Sequence, residues 1–247
     1  MSTATIMQRL FGRPRAGGEG QETHWLSVAD LMAGLMMVFL FIAVALMREV
    51  YQEREQIREI AVSYQENQVA IYQALKDEFE ADLERWLANI DRETLSFQFQ
   101  SPEVLFEIGS SEIRSRFQEI LDDFFPRYLK VLEEFTDSID EVRVEGHTSS
   151  EWGDGASDTE AYFRNMNLSQ GRTRSVLEYV YRMPDSQPRQ SWVKRHFAAV
   201  GFSSSRLVLG PDGEEDPAAS RRVAFRVVTN AEIQMQRILE RAGGESP

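Results

Sequence analysis

The chain has 247 residues, a formal net charge of −13 and no cysteine. This length allows one membrane span and one domain of ordinary size. The negative charge argues against a nucleic-acid partner, which would require a basic surface, and the lack of cysteine excludes disulfides and thiolate metal sites. Its three histidines are scattered along the sequence, so we expect neither a histidine-built metal site nor a cofactor.

Residues 1–24 are rich in Arg, Gly and Pro and lack apolar periodicity, which predicts a tail. The next segment, Trp25 to Met47, has 23 residues, and Asp30 is its only ionisable side chain. A helix of this length spans about 34 Å and so crosses a hydrocarbon core of roughly 30 Å. A cleaved signal peptide is the alternative, but its apolar region is usually shorter, about 7–15 residues. The segment therefore predicts a transmembrane helix.

Asp30 is unusual because a carboxylate inside the bilayer costs roughly 2.5–3.5 kcal/mol at a helix centre. One interpretation is a carboxylate near a helix N-terminus that reaches back to headgroup water. The other is a proton acceptor that loads and unloads during function. Ala33, Gly34 and Met37 follow at helical spacing, so the acid shares a face on which small residues let another helix approach. This spacing favours the second interpretation.

Residues 48–93 are rich in charged and helix-forming residues and contain neither Pro nor Gly, which predicts a helical linker. Apolar side chains recur along it at steps of three or four residues, a stripe that Gln68 interrupts. The stripe fits a coiled coil, a helix that lies on its own domain, or a solvated stalk.

Residues 95–229 predict an α/β (α+β) sandwich domain, in which a mixed sheet is covered by helices on one side. Strands are expected at 95–100, 142–145, 205–209 and 222–229. Helices are expected at 113–139, with a break or bend at Pro126, at 167–182 with Asn167 as the N-cap, and at 192–200. Residues 230–247 predict a polar helical tail.

Two sets of residues carry a resemblance to a known family. The span has the pattern Trp25-x-Ser27-x-x-Asp30-Leu31-Met32-x-Gly34-Leu35-Met36-Met37. The domain has Val144-Glu145-Gly146-His147-Thr148, Asn165-x-x-Leu168-Ser169-x-x-Arg172, Gly201 and Arg221-Arg222-Val223. The first pattern resembles the B subunits of ion-driven rotary stators such as flagellar MotB, and above all the ZorB type of Zorya anti-phage defence systems. The second resembles the OmpA/MotB-type peptidoglycan-binding domain.

The resemblance implies roles for individual residues. Asp30 matches the protonatable acid of the stator family, and Asn165, Leu168 and Arg172 match residues that line the cell-wall peptide site. Ser149 stands where the family usually has an Asp that faces the diaminopimelate ammonium; its hydroxyl can accept a hydrogen bond there but brings no charge. Three acids of the adjacent loop are candidates to replace that Asp: Asp154, Asp158 and Glu160.

The resemblance also implies a cellular location and partners in an assembly. It implies a bacterial inner-membrane protein with a single span, a cytoplasmic N-terminus and a periplasmic domain bound to peptidoglycan. Two copies would stand inside a ring of a ZorA-like multi-span partner, with residues 49–66 as a possible plug. The alternatives are a flagellar-type stator subunit and a passive wall tether without ion flux. No nucleophile–base pair or metal constellation supports an enzyme.

Overall fold

The computed structural model describes residues 19–100, 102–107, 109–153 and 155–244. The chain divides into two compact units, residues 1–56 and 57–247. Most of the predicted tail, residues 1–18, lies outside the described residues. The second unit begins well before the domain boundary expected from the sequence, because part of the predicted linker packs into the domain core.

Helix α1 (Glu19–Phe79) contains the whole predicted span. From Val28 to Val50 the large apolar side chains of the helix are exposed, and so is Asp30. The most apolar window of α1 has a mean hydropathy of 2.4, and among the described residues this is the one helix long and apolar enough to cross a membrane. This part of α1 forms the first unit.

The C-terminal part of α1 belongs to the second unit. Ile71, Leu75 and Phe79 recur every four residues, and each is completely buried. Phe79 packs against Phe97 and Phe124, with ring centroids 5.2 Å apart in both pairs. Of the three interpretations of the stripe, the structure therefore places this part of the helix on its own domain.

The prediction of a linker that is helical to residue 93 was wrong at its end. After α1 the chain forms a short helix, α2 (Leu83–Trp86), and then strand β1 (Ala88–Asp91). Leu87 ends α2 in the left-handed region, with φ of 51°. The four residues of β1 pair antiparallel with the next strand, so pairing across the sheet outweighs the local preference for helix.

The remaining strands are β2 (Ser96–Gln100), β3 (Ile139–His147), β4 (Phe197–Ser203) and β5 (Arg222–Thr229). They form a five-stranded sheet in the order β1-β2-β5-β3-β4. The β3–β4 pair is parallel and the other pairs are antiparallel. The sheet is therefore mixed, as expected.

The helices that follow α2 are α3 (Pro102–Leu105), α4 (Ser115–Glu133), α5 (Asp158–Arg182), α6 (Gln190–His196), α7 (Pro217–Ser220) and α8 (Asn230–Gly244). A 3₁₀ helix at Pro184–Arg189 precedes α6. The apolar face of α4 packs on the face of the sheet that carries Phe97, Phe99 and Phe225. The core therefore lies between this helix, the sheet and the end of α1.

Four local predictions were wrong. The break expected at Pro126 is absent, since α4 runs through this residue without interruption; buried residues on both sides, such as Phe124 and Tyr128, offset the cost of a proline inside a helix. α5 starts at Asp158 and not at Asn167, since Ser157 accepts a hydrogen bond from the Glu160 backbone N–H and caps the helix.

The other two errors concern the segment after α5. Residues 197–200 were expected to be helical, but they belong to β4, where they pair with β3. The strand expected at 205–209 is reduced to a single bridge between Leu209 and Glu215. The first outcome depends on β3, a neighbour that is distant in sequence.

Candidate functional site

A cavity of about 540 Å³ lies beside the end of β3 and the first half of α5. All four residues that the sequence assigned to the cell-wall peptide site line it: Ser149, Asn165, Leu168 and Arg172. Gly109, Thr148, Glu151, Trp152, Gly153 and Arg221 complete the lining. We call this cavity the wall pocket.

Two glycines allow α5 to approach the sheet closely enough to form the pocket. A Cβ at Gly146 of β3 would lie 2.8 Å from the carbonyl oxygen of Ser169. A Cβ at Gly201 of β4 would lie 2.5 Å from the backbone nitrogen of Gln170. Both contacts are with helix backbone, which has little freedom to move, so these positions accept glycine only.

Asn165 organises the loop at the pocket entrance. Its side chain is buried, and its Nδ2 donates to the carbonyl oxygens of Ser149 and Glu151, each at 3.1 Å. The amide thus holds both ends of the segment 149–151 against α5. These contacts make Asn165 a support for the loop.

Arg172 lies two turns after Asn165 on α5, also lines the pocket and is almost completely buried. Its Nε donates to the carbonyl oxygen of Ser110 at 3.0 Å, and its guanidinium lies 4.9 Å from the centre of the Phe106 ring. These contacts orient the planar guanidinium. Such a group recognises a carboxylate through two parallel hydrogen bonds.

Arg221 adds a second cation to the same pocket. Within the described part of the chain its buried Nε has no hydrogen-bond partner, and neither has the buried Oγ1 of Thr148. Buried polar atoms of this kind call for a partner. The pocket therefore contains oriented cationic groups and unsatisfied polar atoms, which suits a ligand with a carboxylate.

One curated relative decides the family. The Zorya protein ZorB of Escherichia coli is 52% identical to this chain over 95% of this chain and 100% of its own length. The chain belongs to the ZorB family. No protein-family model matches it.

Solved structures with similar domains are more distant from this ZorB-family chain. The cell wall anchor of the T6SS from Pseudomonas aeruginosa is 21% identical, with 63% of this chain and 97% of that one covered and a TM-score of 0.43. A MotB-like protein from Desulfovibrio vulgaris is 19% identical, with 69% and 94% covered and a TM-score of 0.46. The family assignment rests on the ZorB relative and not on these structures.

Sequence reasoning did not assign six of the lining residues to the pocket, and three of them have large or charged side chains: Glu151, Trp152 and Arg221. Of the acids expected to replace the family Asp, Asp154 lies outside the described residues, and Asp158 and Glu160 do not line the pocket. Glu151 does line it, and it is exposed. The sequence carried no local signal for this placement, because the loop after β3 has no regular alternation of side chains.

Asp30 lies in the first unit, on the exposed apolar part of α1. A Cβ at Gly34, one helical turn later, would meet no atom within 4 Å. The face of α1 that carries Asp30 and Gly34 therefore leaves room for another helix to pack closely against it. Among the described residues, no group of three or more His, Asp or Glu side chains could hold a metal ion.

Proposed function

We propose that this chain is the wall-anchored, stator-like subunit of a proton-driven motor in Zorya anti-phage defence, with Asp30 as the proton carrier. The observation that carries the proposal is the convergence of Ser149, Asn165, Leu168 and Arg172 on one pocket in a member of the ZorB family. The acid-bearing apolar helix supplies the membrane half of the same proposal.

The wall pocket would bind the stem peptide of peptidoglycan. Arg172 would hold a peptide carboxylate bidentately, and Arg221 would add a second cation beside it. Glu151 would accept the ammonium of the diaminopimelate centre, in place of the Asp that Ser149 replaces. Leu168 is half-buried and would contact the aliphatic part of the peptide.

The membrane half would use Asp30. With the wall pocket outside the inner membrane, the N-terminus is cytoplasmic and protons reach Asp30 from the periplasm. Two copies would stand inside a ring formed by a ZorA-like multi-span partner. Each proton would supply about 2.3 kcal/mol per 100 mV of membrane potential, so a task that needs more requires several protons.

Asp30→Asn tests the motor, because it keeps the side-chain shape and removes titration. We expect protection against phage to fall to the level of cells without the system, while sedimentation of the protein with purified sacculi is unchanged. Asp77→Asn, the same change at an exposed acid near the C-terminal end of the same helix, is the matched control and should protect as wild type does. Full protection by Asp30→Asn would leave a passive tether as the function.

Arg172→Gln tests wall binding. We expect the full-length protein in detergent to bind purified sacculi about tenfold more weakly, because one charge-assisted contact is lost. Arg182→Gln, an exposed arginine farther along α5, is the control. Since Arg172 also contacts Ser110, the exposed Glu151→Gln provides a second variant with little risk to folding. Unchanged binding by both variants would contradict the assignment of the wall pocket.

A further inference from the structure

The open face of the sheet, opposite the aromatic core, carries a second cavity of about 340 Å³. Side chains alternate along a strand, so Arg221 faces the wall pocket and Arg222 faces this second cavity. Its lining is polar and draws on β1, β2, β3 and β5, together with the segment after β4. We call it the open-face cavity.

A small residue creates the depression at its centre. Ala224 of β5 lies between Glu145 of β3 and Gln98 of β2 in the register of the sheet. Two positions away on either side along β5 are Arg222 and Arg226, which share its face. The short Ala224 side chain thus forms a floor that is bordered by an acid, an amide and two guanidinium groups.

The segment that follows β4 supplies one wall. Arg206 lines the cavity, and its guanidinium lies 3.7 Å from the centre of the Phe202 ring. Arg222 donates to the carbonyl oxygens of Arg206 and Ser220, which holds this wall over the sheet. Two of the three arginine side chains of the cavity, Arg206 and Arg222, therefore come together on this wall.

Charges of both signs line the cavity and lie close to one another. Glu145 Oε2 is 3.7 Å from a guanidinium nitrogen of Arg206, and Glu145 Oε1 is 3.9 Å from one of Arg226. Three arginines, Arg206, Arg222 and Arg226, face two acids, Glu145 and Asp91, and Arg226 is also paired with Glu232 at 2.6 Å. The positive and negative groups therefore balance, unlike the arginine-rich wall pocket. A simple anion or a simple cation would match only half of this lining.

Several buried polar atoms of the cavity lack partners. Glu145 and His147 are each only 3% exposed. His147 Nε2 lies 3.3 Å from Glu145 Oε2, but the described residues offer no hydrogen-bond partner to His147 Nδ1, Glu145 Oε1 or Arg226 Nε. Burial lowers the pKa of His147, so with Nε2–H donated to Glu145 its Nδ1 is an acceptor. The cavity thus has unused acceptors beside an unused donor.

We propose that the open-face cavity is a second binding site, separate from the wall pocket, for a small zwitterion: an α-amino acid or the amino-acid end of a peptide. Arg206 and Arg222 hold its carboxylate. Glu145 and His147 accept hydrogen bonds from its ammonium or N–H group. The volume suits a ligand of this size, since it lies at the small end of the range for ligand pockets.

Calorimetric titration of the full-length protein in detergent with alanine tests the proposal. We expect saturable binding of alanine and much weaker binding of acetate or methylammonium, each of which has half of the required groups. Alanyl-alanine distinguishes a free amino acid from a peptide end by which of the two binds more tightly. Binding of glucose in preference to alanine, or no saturable binding of either alanine or alanyl-alanine, would overturn the proposal.

Arg206→Gln should weaken alanine binding by about tenfold, and folding should survive because the Arg206 side chain is 44% exposed. Arg182→Gln is the matched control for a lost surface charge. Arg172→Gln should leave alanine binding unchanged while it weakens binding to sacculi, which separates the two sites. Equal affinities for Arg206→Gln and wild type would contradict the assignment of the open-face cavity.

Discussion

The two parts of α1 use apolar residues in different ways. From Val28 to Val50 large apolar side chains surround the helix and stay exposed, with Phe39 at 68%. From Ile57 to Phe79 they form a narrow stripe, and Ile71, Leu75 and Phe79 are completely buried in the domain core. A helix that is apolar all round requires an apolar environment on every side, whereas a stripe requires one packed neighbour. The same helix therefore combines a segment that is long and apolar enough to cross a membrane with a segment that belongs to a domain core.

The largest expected effect comes from truncation within the stripe. Phe79→Ala should destabilise the second unit by about 3–5 kcal/mol, because it removes ring contacts with Phe97 and Phe124 and leaves a cavity. Phe39→Ala, the same change in the apolar part, should alter that stability by no more than about 0.5 kcal/mol. Urea unfolding of the full-length protein in detergent measures both. Similar losses of unfolding free energy for Phe79→Ala and Phe39→Ala would contradict the difference between the buried and the exposed part of α1.

A smaller effect is expected at Gln68, the residue that interrupts the stripe. Its Nε2 donates to the carbonyl oxygens of Arg92 at 2.9 Å and Glu93 at 2.8 Å, so it joins α1 to the turn between β1 and β2. Gln68→Ala should cost about 1 kcal/mol of unfolding free energy. Gln73→Ala, whose exposed amide contacts Asp77 on the same helix, should cost less. The reverse order in the unfolding experiment would contradict the assignment of Gln68 as the stronger of the two contacts.

The smallest expected effect is the pH dependence of the stability of the second unit, residues 57–247, which contains the apolar stripe of α1. Burial lowers the pKa of His147 below its usual 6.5, and the hydrogen bond to Glu145 offsets this only in part. Below about pH 6.5 the unfolded chain therefore binds a proton that the folded chain does not, and stability falls as the pH falls. Burial alone would raise the pKa of Glu145, but His147, Arg226 and Arg206 lower it, so a further loss follows at still lower pH.

Thermal unfolding between about pH 7.5 and about pH 5.5 checks this prediction. His147→Gln keeps a donor for Glu145 and removes the titration, so the melting temperature of the variant should fall less over this interval than that of wild type. An equal fall in melting temperature for the variant and wild type would show that groups other than His147 cause the loss of stability at acid pH. The helical content of the apolar part of α1 in detergent should be the same at both ends of the interval.

The residues of the wall pocket show how far sequence reasoning reached at the site. Ser149, Asn165, Leu168 and Arg172 were named from a motif, and the structure brings them into one cavity. Glu151 and Arg221 were not assigned to the pocket. Their position in the pocket depends on how the loop after β3 and the start of β5 pack near α5. No local sequence pattern predicts this packing.

The sequence by itself determined the features that depend on neighbours along the chain. The apolar segment from Trp25 to Met47 is helical in the structure, and the alternating residues 222–229 form β5 with those bounds. The Ser157 cap of α5 was also readable, from the Ser-x-x-Glu pattern that ends at Glu160, although it was missed.

Only the tertiary structure decided the features that depend on distant partners. Residues 88–91 and 197–200 became strands because β2 and β3 offered unpaired backbone groups to them. The stripe on α1 became part of the core because β2 and α4 presented aromatic rings to it. Hydrogen bonds between strands and the burial of apolar area outweigh local propensity, which differs by no more than about 1 kcal/mol per residue among ordinary residues.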